Sequence, residues 1–355
     1  HNGGSARWVY RGNVVVEIFN RRAGHDSSFT DKALAKTSFC QHNSDNILPS
    51  TLIVLFIYQN CRGAPMTEAS LTISDRIQNK LDDLTRAERQ LAHSILENYP
   101  ASGLGPLSAL AKDAKVSVPT VARMVQKLGF QGYPEFQTEL RKELRAKVKS
   151  PIAKHDAWSE GAPSEHLLNR FTESVIDNIR HTLGQIDSVA FDEACRIAAD
   201  TNHHLYIVGG RISHILAEYL FLHMQLIRPK ITHIQSTSNT WPHYLLDVKA
   251  GDVFIIFDMR RYENNTLKLA EMAYDKGAKI ILFTDQWRSP VHRMAEQSFG
   301  SRIVVPSAWD SAITPLLLLE TMISTVQAIT WGDTKDRMEA LEEMFDQTKL
   351  FRKFT

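Results

Sequence analysis

Apolar residues recur at helical spacing from Ile73 to about Lys149. Thr85-Arg-Ala-Glu88 reads as a capping box, in which the Thr85 hydroxyl accepts from the backbone at Glu88 and that carboxylate reaches back. Leu84, Leu91, Ile95 and Leu96 form the stripe behind it, and Tyr99-Pro100 ends the helix. After a Gly/Pro-rich break at 102–106, two short helical segments (108–114 and 119–128) are joined by Lys115-Val-Ser117, the spacing of a helix-turn-helix. In the second segment Val121, Val125 and Leu128 face inward, while Thr120, Arg123 and Lys127 share another face that could meet a DNA groove. Ser117 is placed to cap this helix and to contact phosphate, Pro119 suits its first turn, and Gly129 suits its C-terminal cap.

A linker is expected over 150–163, where Pro151, Gly161 and Pro163 fall, followed by a helical stretch at 165–183. The pattern then changes to short apolar runs alternating with helical segments. Strands are expected at 204–208, 231–235, 252–258, 279–285 and 302–306, and helices at 213–226, 241–247, 265–276, 290–295 and 312–330. Five strands in strict alternation with helices imply a parallel, doubly wound α/β sheet covered on both faces. Ligands of such sheets sit beyond the carboxyl ends of the strands at the switch point, here the loops that begin at Gly209 and Asp258. Residues 1–65 carry no sustained period. They are expected to be a leader or translated upstream sequence rather than a domain, a regulatory extension being the alternative.

Composition changes this picture in one respect. The 355 residues carry 41 Lys and Arg against 40 Asp and Glu, a balance that alone argues against nucleic acid. The charge is unevenly distributed: residues 66–150 hold thirteen basic and ten acidic groups, and 151–355 hold twenty-one and twenty-six. From Lys112 to Lys149 nine basic residues face four acidic ones, which supplies the attraction a duplex requires. Cys40, Cys61 and Cys195 lack metal-ligand spacing, as do the 14 histidines, so neither a disulfide framework nor a metal site is expected, and no cofactor. The apolar run 51–58 is far shorter than the ~20 residues a spanning helix needs, so no membrane contact and a cytoplasmic location are expected.

The stretch Val116-Ser-Val-Pro-Thr-Val-Ala-Arg-Met-Val-Gln-Lys-Leu-Gly-Phe-Gln-Gly-Tyr-Pro-Glu-Phe136 resembles the signature of the N-terminal domain of RpiR/MurR-type bacterial transcriptional regulators. Tyr206-Ile-Val-Gly-Gly-Arg-Ile-Ser213, Lys249-Ala-Gly-Asp-Val253 and Lys276-Gly-Ala-Lys-Ile280 leading to Thr284-Asp285 resemble the sugar isomerase (SIS) domain attached to it. The resemblance implies a helix-turn-helix domain at 66–150, a linker and helix at 151–187, a SIS domain at 188–332 and a C-terminal helix at 333–355. It further implies a homodimer or homotetramer that binds double-stranded operator DNA and senses a small effector, commonly a phosphosugar. On this resemblance Ser117, Thr120, Arg123 and Lys127 map onto the DNA-reading helix, Ser213 onto the serine of the first phosphate loop, and Thr266 onto the late threonine that opens the next helix.

The SIS loops depart from the family pattern. Gly209-Gly-Arg-Ile-Ser213 has Arg211 in place of a second glycine, and Asp258-Met-Arg-Arg-Tyr-Glu263 places Asp258, Arg260 and Glu263 where small hydroxyls usually cradle phosphate. Three arrangements are open for this Gly209, Arg211, Ser213, Asp258, Arg260, Arg261 and Thr266 site. The arginines pair with a phosphate or carboxylate of a different ligand, or Asp258 and Glu263 neutralise them in a structural network, or Arg260 and Arg261 lie at a subunit interface. The rival class is a SIS-fold phosphosugar isomerase, for which Glu320, His214, His223 and His243 are the candidate bases. A third class is a DNA-binding protein whose SIS domain only dimerises.

Overall fold

The computed structural model describes residues 8–11 and 14–17, then 71–97, 99–159, 166–235, 238–349 and 351. Strands β1 (Trp8–Arg11) and β2 (Val14–Glu17) form an antiparallel pair within a unit of their own, residues 1–47. The expectation for residues 1–65 otherwise lies outside the described residues, as does the apolar run 51–58.

The second unit opens with five helices: α1 (Ile73–Asn79), α2 (Arg86–Glu97), α3 (Leu107–Asp113), α4 (Val118–Lys127) and α5 (Tyr133–Val148). The Thr85–Glu88 capping box forms in both directions, with Thr85 N donating to Glu88 Oε2 at 2.8 Å and Glu88 N to Thr85 Oγ1 at 3.4 Å. Gly129 follows α4 at φ +91°, a conformation that disfavours any side chain. Ile77, Leu91, Ile95, Val121, Met124, Val125, Phe136 and Leu140 meet in the core of this bundle.

Residues 151–159, expected to be linker, form helix α6 (Pro151–Ser159). Pro151 starts the helix instead of breaking it, because the N–H it lacks would have no partner in the first turn. Helices α7 (Leu167–Leu183) and α8 (Ser188–Ala199) lead into the sheet. The sheet comprises β3 (Leu205–Gly209), β4 (Ile231–His233), β5 (Val253–Asp258), β6 (Lys279–Asp285) and β7 (Gln297–Ser301), all parallel in the order β4-β3-β5-β6-β7.

Side chains alternate along the strands. Leu205, Ile207, Ile255, Phe257, Ile281 and Phe283 pack toward α8, α9 (His214–Ile227) and α12 (Ile313–Ile329). Tyr206, Val208, Phe254, Ile256, Ile280 and Leu282 pack toward α10 (Trp241–Leu245) and α11 (Asn264–Asp275) on the other face. Helix α13 (Trp331–Thr348) closes the chain. Among the described residues no single helix is long and apolar enough to cross a membrane.

The fifth strand is displaced from its expected place at 302–306. The strand at the sheet edge is Gln297–Ser301, which carries a single large apolar residue, Phe299. Ile303 and Val305 gave the misleading apolar signal. Both are buried off the sheet, and Ile303 and Trp287 pack into the core of the α1–α5 bundle. The bundle and the sheet domain are thus joined through apolar burial. Arg302 bridges to Asp75 at 3.3 Å, and Arg293 Nε donates to the Glu97 carbonyl at 3.0 Å.

Candidate DNA-reading helix and ligand cavity

Helix α4 starts at Ser117, whose Oγ accepts from Thr120 N at 3.4 Å. Thr120 does not share the exposed face expected for it. It is buried, and its hydroxyl lies 2.8 Å from Ser117 Oγ. Position 120 is followed by the core residue Val121, and the buried arc of the helix is wide enough to take in both. Lys127 is exposed but engaged, its Nζ lying 2.8 Å from Glu88 Oε2 and drawing that carboxyl below its ordinary range against the opposing effect of burial. Arg123 is exposed, as expected. Val118, Ala122 and Gln126 line the same side of the helix at intervals of four, a spacing legible in the sequence but outweighed there by the charged residues.

At the switch point, β3 and β5 lie side by side and Gly209 pairs with Phe257. The loops that follow them open on a cavity of about 310 Å³, whose walls include Gly210, Arg211, Ser213, Asp258, Arg260, Arg261, Glu263, Trp309 and Asp310. Gly209 is required by the turn, since a Cβ there would fall 2.5 Å from the Ser213 carbonyl oxygen. Ser213 Oγ donates to the Phe257 carbonyl at 2.8 Å and so ties the two loops together. Arg211 and Arg261 are exposed, and Arg261 adopts φ +65°. Thr266 is buried beside the site rather than lining it, with no hydrogen-bond partner for its hydroxyl among the described residues.

The acidic residues take other partners than the arginine guanidinium groups of the structural-network arrangement. Asp258 accepts from Ser289 Oγ, and burial pushes its carboxyl up to about 7 despite that bond, with Asp285 adding to the rise. Asp285, fully buried, accepts from Tyr262 Oη at 2.7 Å, Trp287 N at 2.8 Å and Arg260 N at 2.5 Å. Arg260 stacks on Trp287 at 4.4 Å, and its guanidinium donates to Asp310 Oδ1 at 3.1 Å and to the Ala146 carbonyl on α5 at 2.6 Å. Asp310 also receives Lys154 Nζ of α6 at 2.5 Å. Nothing in the sequence marks Asp310 as a site residue. It lies in an irregular loop after β7, with no periodic signal, and only the fold brings it to Arg260.

None of the four candidate bases lines the cavity. Glu320 Oε1 accepts from Tyr219 Oη at 3.0 Å, and His214 stacks on His233 at 4.7 Å. Among the described residues no group of three or more His, Cys, Asp or Glu side chains is placed to hold a metal ion.

The model of the rpiR-family helix-turn-helix domain matches residues 71–147, and that of the SIS domain matches 200–325. Together they account for more than half of the chain, in the order seen in the structure. The chain belongs to the rpiR family of helix-turn-helix transcriptional regulators. It is similar to the HTH-type transcriptional regulator HexR of Pseudomonas aeruginosa, 26% identical over 289 residues that cover 78% of this chain and 96% of HexR. It is 33% identical over 298 residues to the bifunctional protein glk of Burkholderia orbicola, covering 79% of this chain and 44% of that longer protein. Among solved structures, Vibrio vulnificus NanR complexed with ManNAc-6P aligns over 79% of this chain and all of NanR, at 16% identity and a TM-score of 0.46. In this rpiR-family regulator the helix-turn-helix is α3–α4 and the SIS sheet is β3–β7.

Proposed function

We propose that this regulator reads operator DNA with α4 and senses a small metabolite in the 310 Å³ SIS cavity, without catalysis, as a cytoplasmic homo-oligomer. The observation that carries the sensing reading is Arg260. Its side chain forms part of the cavity wall and is hydrogen-bonded to the Ala146 carbonyl near the end of the DNA-reading domain. Asp310, also in the wall, is bonded to Lys154 of the next helix. A ligand that moves Arg260 or Asp310 therefore acts directly on α5 and α6, with no long relay between the sites. The exposed apolar residues Ile215 and Leu222 of α9 and Ile313 of α12 support contact with a second copy. The absence of the candidate bases from the cavity wall supports sensing over isomerisation.

The test is a metabolite screen by thermal shift followed by operator binding with each hit. Sensing predicts that a hit shifts operator affinity by ~1–3 kcal/mol, and that DNA shifts the affinity for the hit equally. If every hit leaves DNA binding unchanged, the SIS domain is an assembly module only. On the DNA side, Arg123→Ala is expected to weaken specific operator binding by ~1–3 kcal/mol. Fluorescence anisotropy with operator and scrambled duplexes checks this, and equal losses on both would assign Arg123 to phosphate instead. Lys127→Ala, which frees Glu88, is expected to act more through stability than through contact.

A further inference from the structure

Glu263 is the N-cap residue of α11, yet its carboxylate does not cap that helix. It crosses to the loop after β3, where Glu263 Oε1 accepts from Arg211 N at 2.8 Å. It lies so close over Gly210 that a Cβ there would come within 3.3 Å of the same oxygen. This loop leads directly into the fourteen-residue helix α9. A bare backbone N–H just ahead of a helix N-terminus is where an anionic ligand group would be held, and the chain's own carboxylate already holds it.

Two of the other groups that could bind an anion are also engaged. Ser213 Oγ donates to the Phe257 carbonyl, and the two terminal nitrogens of the Arg260 guanidinium are taken by Asp310 and the Ala146 carbonyl, its buried Nε having no partner among the described residues. Arg211 and Arg261 remain in the cavity wall, but both are exposed to solvent, where an ion pair contributes little. An incoming phosphate would instead meet the Glu263 carboxylate, beside an Asp310 already held by Arg260 and Lys154 and a buried Asp258 whose carboxyl is raised to about 7. Asp258 and Asp310 can accept from hydroxyls, as Asp258 does from Ser289.

We infer that Glu263 is a built-in occupant of the anion cradle, and that the cavity takes an uncharged polyhydroxylated ligand, a sugar or polyol without a phosphate. This rests on the reading of the cavity as a metabolite site. Hydroxyl groups would donate to Glu263, Asp258 and Asp310, and the Glu263 carboxylate in the cradle would reject the phosphate ester of the same sugar.

The experiment measures binding of glucose 6-phosphate and inorganic phosphate to the full chain by calorimetry, in wild type, Glu263→Gln and Glu263→Ser. Glu263→Gln keeps the shape and removes the charge. Glu263→Ser opens the cradle and places a hydroxyl there. At least a tenfold gain in phosphate-ester affinity is expected in Glu263→Ser, and a smaller gain in Glu263→Gln, which also carries the test if the serine variant does not fold. Equal binding in wild type and both variants would overturn the assignment of Glu263. A panel of sugars paired with their phosphate esters tests the ligand class against wild type, and an ester ranking first would overturn that part. These readouts do not involve DNA. Failure of every ligand to alter operator binding would sink the sensing reading while leaving the cradle result standing.

Discussion

Asp310→Ala is expected to destabilise the protein by about 3–5 kcal/mol, the cost of removing one partner from a buried ionic network. Asp310 is the carboxylate shared by Lys154 and Arg260, whose side chains are only 5% and 7% exposed. Burial lowers the Lys154 ammonium from its ordinary range, and the bond to Asp310 offsets part of that. Without Asp310 the Lys154 ammonium would be stranded beside the Arg260 guanidinium. Urea unfolding of the full chain measures the loss, and a change below about 1 kcal/mol would mean that water reaches these groups. Adding Lys154→Met to Asp310→Ala is expected to recover much of the stability, since it removes one stranded charge. The same network joins cavity wall to DNA-reading domain, so the single variant is also expected to lose any ligand effect on DNA binding.

Glu143→Gln is expected to stabilise the protein at alkaline pH and to leave it nearly unchanged near pH 4.5. Glu143 lies on α5, and its Oε1 accepts from Ile73 N at 2.8 Å, while its Oε2 is buried with no hydrogen-bond partner among the described residues. Burial pushes this carboxyl up to about 8 from an ordinary value of 4.5. Asp75 adds to the rise, while the Ile73 N–H, Arg302 and Arg76 oppose it. A carboxyl raised in the folded state holds its proton where the unfolded chain has released it. Its stabilising contribution is therefore full below pH 4.5 and is lost as pH rises toward 8. Glutamine keeps an oxygen for Ile73 and carries no charge to desolvate, so the wild-type loss is expected to be absent in the variant. A gain of about 2–5 kcal/mol is expected at pH 8.5. Unfolding curves at pH 5 and 8.5 check it, and a gain of equal size at both would sink the ionisation argument. Asp258, raised to about 7, contributes a slope of the same sign in both proteins. His292, lowered to about 4 by burial and by Arg288, gives the opposite acid limb, lost as pH falls below 6.5. Both cancel in the comparison.

The parts legible in the sequence share one property: their signal is local. The Thr85–Glu88 box, the α3–α4 spacing and the four strands at 205–285 follow from hydrogen bonds within a few residues, from a period of 3.6, or from short apolar runs between helical segments. The switch-point loops at Gly209 and Asp258 follow from strand order in a parallel sheet, so their position was readable too. Residue roles within those loops were less so. Arg260 and Glu263 stand out in the sequence as departures from the SIS pattern, but what they touch is not written there. Arg260 meets Asp310, 50 positions away, and Ala146, 114 away, while Glu263 meets Arg211, 52 away.

The sequence by itself determined the two domain types, their order, the parallel sheet and the place of the cavity, because short-range geometry and burial period fix these. Tertiary structure alone decided that Thr120 is buried, that β7 is Gln297–Ser301, and that Ile303 and Trp287 belong to the bundle core. It also decided that Asp310 rather than Asp258 or Glu263 neutralises Arg260. These depend on which surfaces meet when helices pack, strands pair and the two domains dock. A carboxylate pairs with the cation the fold brings within about 3 Å, and no local pattern of hydrophobic and polar residues encodes that distance.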